Sequence, residues 1–600
     1  MLRATFAGFS TAFSSVQANQ KRLDIVGQNL ANMNTPGYTR QELRTSSLNH
    51  THPVSHYMNG AETVVGFGVR MDTVAQIRDP FLDGKYRDQM QKSGYTDGIN
   101  TALTQLSRFL DESKINGIHS AFVDIQAVLN DMQDASKVND PILESELRTK
   151  MQALTNLLND ADRQITKAEK DEFSRLDGTG TNENGAVQEV NEILNQISSL
   201  NRLIKDDQIF GQPALELMDE RNRLLDELSS YIPIEVTYYK DAAHDGIDEN
   251  GDTDSQAALN EVYHLDGNGD PFAKKDWPDD LRVEMVYKDK DGKTQRLTLV
   301  EGTVGTGTDN IGKVEVNPSL AQNDPFDASQ VEMTFTGSKY YKDGKASDAL
   351  LNAETVSFTK TPAAGNPPTA SLSNQFPEGS GSIQASLDML WKDGSTAGIA
   401  DVRGYEFYRN QLNNLAKSFA EVMNEINIQG NKDANGQADS TQYLLANKTD
   451  NSVNGITAAN IGINTQWSNG SVHIGKSGES ANDTVLNLLE ALQTTYPNNT
   501  LMGGAFQNVN LNGNTFADFM NHTSTILAND AATNQVSLKT NVTVLNGIQE
   551  SRDSISGVSL DEEASNMMVY MSAYNAASRL MTTLDEALNI LINNTGLVGR

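Results

Sequence analysis

Three histidines in one short segment are the residues of this sequence whose type and spacing best suit metal chemistry. His50, His52 and His56 lie close together, and imidazole side chains are common ligands of zinc and other transition metals. No carboxylate lies among them, and Pro53 interrupts the regular spacing that a helix or strand would give. We therefore interpret the segment as a solvated loop, with a metal site as the alternative.

A second candidate is a calcium loop in the segment DGNGDP, where Asp266, Asn268 and Asp270 have the spacing of calcium ligands. A loop of this kind requires glycine at its sixth position and a bidentate glutamate at its twelfth. Pro271 and Trp277 stand at those two positions. We therefore interpret the segment as an acidic turn between strands.

The sequence offers no other motif of catalysis or cofactor binding. It contains no cysteine, which excludes disulfides, thiolate metal sites and thiol nucleophiles. A G-x-S-x-G nucleophile elbow, a Walker loop and an H-E-x-x-H zinc motif are absent from it. We predict that the protein is not an enzyme and that it uses no cofactor.

Composition sets further limits. A chain of 600 residues is longer than one hydrophobic core supports, which predicts several domains. The 47 lysines and arginines against 79 aspartates and glutamates give a formal net charge of −32. Nucleic-acid binding would therefore need a strong local basic patch, and the sequence has none. No run of about 18 apolar residues is present, so we predict no insertion into a membrane.

The first 31 residues are predicted to form an amphipathic helix. Apolar residues recur in it at alternating intervals of four and three, the period of a coiled-coil seam. We call them the N-terminal stripe: Leu2, Phe6, Phe9, Phe13, Val16, Leu23 and Leu30. The pattern keeps its phase past Val16-Gln17-Ala18, a possible signal-cleavage site, so we predict that the helix is retained.

The last predicted helix, at 559–593, is the counterpart of the first. Ser559 and Glu562 form a capping box at its start, and polar Asp585 interrupts its apolar pattern. We call its heptad positions the C-terminal stripe: Ala564, Met567, Met571, Tyr574, Met581, Leu588 and Ile592. Such seams serve packing within one chain and packing between chains alike. Because two terminal helices have little core of their own, we predict that both stripes mediate self-association.

Between the terminal helices the pattern changes twice. From Pro80 to about 230 it is mostly helical. From 236 to 380 it shows alternating strands and a hairpin turn at Asp291-Gly292, which predicts a β-rich insertion. Helical patterning then returns, most clearly at 407–427.

These elements predict a multidomain α+β protein. It has a terminal helical coiled-coil layer, an elongated and mainly helical middle domain, and a β-rich inserted outer domain. The predicted boundaries are 1–33 with 561–600 for the terminal coiled-coil assembly domain, 34–235 with 381–560 for the middle domain, and 236–380 for the outer domain.

Several segments resemble the axial proteins of the bacterial flagellum, a family of rod, hook and hook-associated proteins. ANMNTPGYTR at 31–40 is similar to the N-terminal signature of the family, with the motif residues Asn32, Asn34, Thr35, Pro36, Gly37 and Tyr38. Three further segments resemble the hook-associated protein 1 branch: GFGVRMDTVAQIRDPFLDGKYR (66–87), LMDERNRLLDELS (217–229) and the C-terminal 556–593. The sequence departs from that branch at Asn222, where aspartate is frequent, at Met567-Met568, where leucine is usual, and at Tyr443-Leu444-Leu445, where a Leu-Phe pair is common.

The resemblance implies a structural adaptor at the junction between the flagellar hook and the filament. It implies self-association in a short helical zone, with hook protein below and hook-associated protein 3 above. It also implies export of the unfolded chain by the flagellar type III apparatus to the cell exterior, and an export chaperone that holds the C-terminal helix. The alternatives are another axial subunit, such as a hook-like protein, and a secreted enzyme carried in the insertion.

Overall fold

A computed structural model of the chain describes most of its residues. The described ranges are 2–48, 68–109, 112–134, 136–138, 140–178, 185–209, 212–240, 263–265, 271–274, 279–302, 310–317, 326–341, 350–364, 369–394, 402–432, 436–475, 482–497 and 501–595. The segment with His50, His52 and His56 and the acidic segment at 266–270 lie outside these ranges, so both interpretations of them stay predictions.

Helices make up most of the described chain. Their bounds are Leu2–Ala31 (α1), Pro80–Phe109 (α2), Glu112–Met132 (α3), Pro141–Asp177 (α4), Ala186–Ile209 (α5), Leu215–Tyr231 (α6), Gly381–Trp391 (α7), Tyr405–Gly430 (α8), Thr465–Ser468 (α9), Asp483–Gln493 (α10), Phe516–Ser556 (α11) and Leu560–Thr595 (α12). Within the described ranges, no helix has the length and apolar character needed to cross a membrane.

The strands form small sheets. Their bounds are Gln41–Ser47 (β1), Val69–Gln76 (β2), Ile234–Lys240 (β3), Tyr263–Leu265 (β4), Pro271–Lys274 (β5), Asp279–Lys288 (β6), Thr294–Glu301 (β7), Lys313–Val316 (β8), Glu332–Thr336 (β9), Tyr340–Tyr341 (β10), Leu350–Leu351 (β11), Thr355–Ala364 (β12), Thr369–Leu372 (β13), Leu445–Asn447 (β14) and Ile461–Ile463 (β15). One sheet has the order β3-β6-β7 and another β13-β12-β9-β8, while the remaining strands form two-stranded pairs.

The hairpin of β6 and β7 shows how turn chemistry fixes this part of the fold. Gly292 adopts φ +76°, a left-handed conformation that residues with a Cβ rarely take. The Gly292 N–H donates to Asp289 O at 2.8 Å, and the Asp289 N–H donates to Lys293 O at 3.0 Å. The hairpin turn predicted at Asp291-Gly292 is therefore confirmed.

One continuous hydrophobic cluster joins the helices of the body to the β-rich segment. Buried side chains from α2 through α8 and from β6, β9 and β12 belong to it. The ring centroids of Phe173 on α4 and Phe326 lie 5.4 Å apart. Asn191 on α5 donates to Val314 O and accepts from the Val314 N–H, each at 2.8 Å. The sheets and the helices of the body thus exclude water together.

Two glutamates are buried on the side of α4 that faces α7 and α8. Glu169 is 1% exposed, and its Oε2 accepts from Arg409 Nη2 at 2.7 Å. The Oε2 atom of fully buried Glu172 accepts from Arg175 Nη1 at 2.8 Å and from the Tyr405 hydroxyl at 3.4 Å. Burial raises the pKa of both carboxyls, that of Glu169 to about 7, because desolvation of the charged form outweighs the attraction of the neighbouring arginine.

We expect the body to lose stability as the pH rises, with Glu169 responsible for part of the loss. Its pKa is about 7 in the folded chain against an ordinary value of 4.5, so its stabilising contribution is complete below pH 4.5 and disappears as the pH rises through 7. Glu169→Gln imitates the protonated side chain. In urea unfolding followed by circular dichroism, this variant should exceed the wild type in unfolding free energy by about 1–3 kcal/mol at alkaline pH and match it in mild acid.

Glu146→Gln is the matched control, because Glu146 is exposed on the same helix. It should leave the pH dependence of the unfolding free energy unchanged. Parallel pH profiles for the wild type and Glu169→Gln would contradict the assignment.

Candidate assembly surface and its joint with the body

A second hydrophobic cluster, separate from that of the body, lies around α1. Ala18 and Ile25 of α1 pack with Leu43 of β1, and Val69 and Val74 of β2 lie against them. The hairpin of β1 and β2 therefore covers one side of the helix. We call α1, β1, β2 and α12 the terminal unit.

Helices α1 and α12 pack side by side in opposite directions. Near the beginning of α1, a Cβ atom added to Gly8 would lie 3.4 Å from Leu584 Cδ1. Near the end of α1, Asn29 donates to the Glu563 carboxylate, and burial nevertheless raises the pKa of Glu563. The two ends of the chain are thus brought together in one antiparallel pair.

The N-terminal stripe lies mostly outside the most buried face of α1. Phe13 is 52% exposed. The stripe residues of intermediate exposure are Phe9, Val16, Leu23 and Leu30, and the side chains of Leu2 and Phe6 are outside the described part of the chain. The buried positions of α1 are mainly small or polar: Ala12, Ala18, Asn19, Ile25, Val26 and Asn29. Because small side chains permit close approach of α12 and the hairpin, the larger Phe13 is turned outward.

The C-terminal stripe is only partly covered in the structure. Four of its residues have intermediate exposure, Met567, Tyr574, Met581 and Leu588, and three are exposed, Ala564, Met571 and Ile592. The positions turned toward α1 are instead Tyr570, Ala577 and Leu584. The Arg22 guanidinium lies 5.4 Å from the centre of the Tyr570 ring, and Ala577 is 8% exposed. A coiled-coil seam with alternating intervals of three and four residues can use either of two adjacent residues at such a position. The seam that uses Leu584 is more apolar than the one that uses Asp585.

Helix α12 carries a row of large apolar side chains that its contact with α1 leaves exposed. They are Met568, Val569, Met571, Leu580, Ile590 and Ile592, with exposures between 47% and 67%. Single apolar side chains are ordinary on a protein surface, whereas a row along one helix indicates a contact surface. We call this row, together with Phe13 and the partly exposed stripe residues Phe9, Val16, Leu23 and Leu30, the assembly surface.

The signature motif after α1 forms a turn that joins α1 to β1 at the side of the terminal unit that meets the body. The Thr35 N–H donates to Asn32 O at 2.9 Å, and the Tyr38 N–H donates to Thr35 O at 3.2 Å. Gly37 has φ +79°, so the reversal of the chain depends on a residue without a Cβ. The remaining motif residues, Asn34 and Pro36, are exposed on the turn.

The two signature segments of the sequence, 31–40 and 217–229, meet at this turn. The Thr39 N–H donates to Asp219 Oδ2 at 3.0 Å, and the Thr39 hydroxyl donates to Asp219 Oδ1 at 2.6 Å. Asp219 lies on α6, 180 positions further along the chain. The motif residues therefore serve as one half of a joint whose other half belongs to the body.

Three arginines and three aspartates of the body surround this contact. They are Arg78 before α2, Asp83 and Arg87 on α2, Asp219 and Asp226 on α6, and Arg552 on α11. Arg552 lies 2.8 Å from Asp83 Oδ1 and 2.7 Å from Asp226 Oδ2. Arg87 Nε also lies 2.9 Å from Asp226 Oδ1. Equal numbers of opposite charges make the cluster neutral, which offsets the cost of desolvating each ion.

The joint is partly removed from water. Burial raises the pKa of Asp219 to about 6, against the opposing effects of the hydrogen bonds from Thr39 and the charge of Arg78. Burial also raises the pKa of Tyr38, whose hydroxyl donates to Asn29 Oδ1 at 3.0 Å. Hydrogen bonds in such surroundings are stronger than in bulk water.

Arg40 connects the joint to the C-terminal helices. Its N–H donates to Ser556 O at 2.8 Å, and its guanidinium lies 2.5 Å from Glu562 and 3.8 Å from Glu563. A cleft of about 930 Å³ opens beside these contacts, between the motif turn and the ends of α6 and α11. The contacts described across the joint are polar, while the terminal unit and the body each have their own hydrophobic cluster.

The joint residues are the part of the site that sequence reasoning missed. Helical spacing within 217–229 favours ion pairs from Arg223 to both Asp219 and Glu227. The pair with Glu227 is confirmed at 3.0 Å. The pair with Asp219 is wrong, because Arg223 lies 2.7 Å from Glu220 and Asp219 turns toward Thr39. In the sequence, both segments, 31–40 and 217–229, resemble one family, but this resemblance does not reveal that they are in contact. Among the described residues, no group of three or more His, Asp and Glu side chains is placed to hold a metal ion.

We expect Asp219→Ala to expose the Thr39 amide to hydrogen exchange. A hydrogen bond to a carboxylate contributes about 1.5–3 kcal/mol, so exchange at Thr39 should accelerate on the order of tenfold to a hundredfold. Residue-resolved hydrogen exchange by mass spectrometry measures this rate. Glu220→Ala is the control, since Glu220 is an exposed neighbour that pairs with Arg223. Equal protection of Thr39 in both variants would contradict the joint as described.

Three family models match the chain in separate segments. The model described as the flagellar hook-associated protein FlgK helical domain matches residues 103–256. The model described as flagella basal body rod protein matches residues 9–39, which cover most of α1 and the motif turn. The model described as flagellar basal body rod FlgEFG protein C-terminal matches residues 549–594, which cover the end of α11 and nearly all of α12.

Relatives named flagellar hook-associated protein 1 match the chain along its length. That of Bacillus subtilis (strain 168) is 27% identical over 100% of both chains. That of Salmonella typhimurium is 23% identical over 97% of this chain and 98% of the relative, and that of Escherichia coli (strain K12) is 23% identical over 97% and 99%. A solved structure, the flagellar hook junction protein FlgK from Burkholderia pseudomallei, aligns with a TM-score of 0.35 and 16% identity over 60% of this chain and 46% of that chain. The chain is thus similar along its whole length to proteins named flagellar hook-associated protein 1, and its two ends and its middle match family models of flagellar proteins.

Proposed function

We propose that the protein is a structural adaptor that assembles, several copies together, into the short zone between the flagellar hook and the filament. The observation that carries this proposal is the assembly surface: both terminal helices present apolar side chains outward on a unit that also holds the family motif. Its relatives carry the name hook-associated protein 1 along the full length of the chain. The predicted layering of terminal assembly domain, middle domain and outer insertion belongs to the same proposal.

Charge supports pairing of copies through the terminal units. The charged side chains of α1 are mainly basic, Arg3, Lys21 and Arg22 against Asp24. Those of α12 are mainly acidic, Asp561, Glu562, Glu563, Asp585 and Glu586 against Arg579. An α1 of one copy and an α12 of the next therefore attract each other, although the chain as a whole is strongly acidic. We propose that the N-terminal stripe of one copy packs on the exposed row of α12 in its neighbour.

A nearly uncharged part of α11 supports close approach of neighbouring copies. Residues 531–549 carry a single charged side chain, Lys539, in a chain whose net charge is −32. Val536 is 67% exposed, and Val542 and Val544 are at least 40% exposed. Copies of an acidic protein repel each other, so an uncharged helix face is where they can meet at the least electrostatic cost.

Export as an unfolded chain is part of the proposal. A chain without cysteine cannot form disulfides that would obstruct a narrow channel or trap it outside the cell. The exposed apolar row of α12 is the kind of helix face that a helical chaperone groove binds. The proposed partners are thus an export chaperone for α12, hook protein below and hook-associated protein 3 above, with an extracellular final location.

The alternative of another axial subunit, such as a hook-like protein, has one supporting observation. Rod and hook-type family models match both ends of the chain. The match of residues 103–256 to the helical domain of a hook-associated protein favours the junction role over it.

We expect Phe13→Asp to prevent assembly while leaving the folded monomer intact. Phe13 is already 52% exposed in the monomer, so the substitution costs the single chain little. In an assembled seam it would lose about 1.5–3 kcal/mol of apolar burial per copy and add the cost of desolvating a carboxylate. Gln17→Asp is the matched control, because Gln17 is exposed on the same helix outside the stripe.

Each variant would be expressed in a strain that lacks the native protein. An immunoblot of the medium measures export, and electron microscopy counts filaments attached to hooks. Phe13→Asp should be exported and give few filaments, whereas Gln17→Asp should give the normal number. Normal filaments with Phe13→Asp would refute the role of the N-terminal stripe.

We expect cells without the protein to complete their hooks, to lack filaments and to release flagellin into the medium. A bending hook and a stiff filament have subunit lattices that differ, so an adaptor with a shared terminal unit and a different outer part can contact both. Electron microscopy of the deletion strain, with a flagellin blot of the medium, tests this outcome. Full-length filaments on the mutant hooks would refute the junction role, and an enzyme carried in the insertion would leave filaments intact.

A further inference from the structure

The loop between β14 and β15 contains an asparagine–glycine pair whose surroundings differ from those of the other described pairs. Asn454 and Gly455 lie in an exposed turn, and Gly455 has φ +63° with open space around the position of an added Cβ. Within the described residues, the Gly455 N–H has no hydrogen-bond acceptor, and the Asn454 side-chain amide has no partner. An exposed asparagine followed by an unbonded glycine amide is the arrangement in which a side-chain amide can react with the backbone.

Other asparagine–glycine pairs of the described chain have their glycine amides engaged. The Gly513 N–H donates to Tyr496 O at 2.8 Å, and the Gly470 N–H donates to Trp467 O at 3.3 Å. Asn116-Gly117 lies inside α3 and Asn546-Gly547 lies inside α11, where backbone amides are bonded along the helix. A glycine nitrogen that is held in a hydrogen bond must first give up that bond before it can attack a carbonyl carbon.

We propose that Asn454-Gly455 is a site of spontaneous backbone modification, at which asparagine is converted through a cyclic imide to aspartate and isoaspartate. The deprotonated Gly455 nitrogen attacks Asn454 Cγ and forms a new C–N bond. The original Cγ–N bond breaks, and the amide nitrogen leaves as ammonia after taking up the proton. Water then opens the five-membered ring at one of its two carbonyls. No oxidant, reductant or enzyme takes part.

The local structure determines what the modification changes. Either product adds a negative charge to an exposed loop of a chain whose net charge is already −32. Isoaspartate also adds a methylene group to the main chain next to Gly455, whose carbonyl accepts from Asn460 Nδ2 at 2.9 Å. The Asn460 side chain in turn accepts from the Thr457 N–H at 2.7 Å, so lengthening the main chain disturbs the turn that leads into β15. The proposal does not depend on the proposed function.

The test is peptide mapping by mass spectrometry of the folded, full-length chain during incubation at mildly alkaline pH. The peptide with Asn454 should convert at least about tenfold faster than the peptides with Asn469 and Asn512, the ratio that one additional hydrogen bond supports. The helical pairs at Asn116 and Asn546 should stay unmodified over the same period. Fragmentation that separates aspartate from isoaspartate should find both products at this position.

Two controls make the outcome decisive. The same incubation in concentrated urea should bring the five rates together, because an unfolded chain removes the hydrogen bonds that protect the slower pairs. Asn454→Gln should abolish the conversion, because glutamine would need a less favourable six-membered ring. Equal rates at Asn454 and Asn512 in the folded chain, or an unmodified Asn454 when Asn469 converts, would overturn the proposal.

Discussion

The antiparallel pairing of the first and last helices is the constraint on which the rest of the architecture depends. Because α1 and α12 lie side by side, from Gly8 beside Leu584 to Asn29 beside Glu563, both ends of the chain are held in one unit. Everything between them must leave that unit and return to it. The chain leaves the unit after β2, and it returns at the break between α11 and α12. The body can therefore vary in size and composition without altering the surface that the terminal helices present.

The chemistry of the joint differs from the chemistry on either side of it. The terminal unit and the body are each held by an apolar cluster, whereas the contacts described between them are hydrogen bonds, from Thr39 to Asp219 and from the Arg40 N–H to Ser556 O. Each such bond contributes on the order of 1 kcal/mol net, and each depends strongly on direction. A polar joint of this kind fixes an angle without a large apolar surface.

The acidity of the chain and its proposed self-association are compatible because charge is unevenly distributed. Lys539 is the single charged residue in 531–549, and basic side chains predominate on α1 while acidic ones predominate on α12. The remaining negative charge keeps the surface soluble and directs contacts to these faces. Small residues contribute as well, since Ala12 and Ala18 let the helix pair close and leave Phe13 outside. Electrostatics and side-chain volume thus favour the same faces for the proposed contact between copies.

The sequence by itself determined the elements whose cause is local. The hydrophobic period determined the positions of the terminal helices, Gly292 determined the hairpin turn, and the segments at 31–40 and 217–229 indicated a resemblance to one family. Tertiary structure alone decided which face of each helix is buried and what the motif residues touch. The alternating spacing of three and four residues allows two adjacent sets of contact positions in α12. Only the position of α1 selects Tyr570, Ala577 and Leu584. In the same way, Asp219 has a helical neighbour of opposite charge in Arg223, yet it bonds to Thr39. A buried carboxylate needs hydrogen-bond donors, and the fold brings the N–H and the hydroxyl of Thr39 to it from a distant part of the chain.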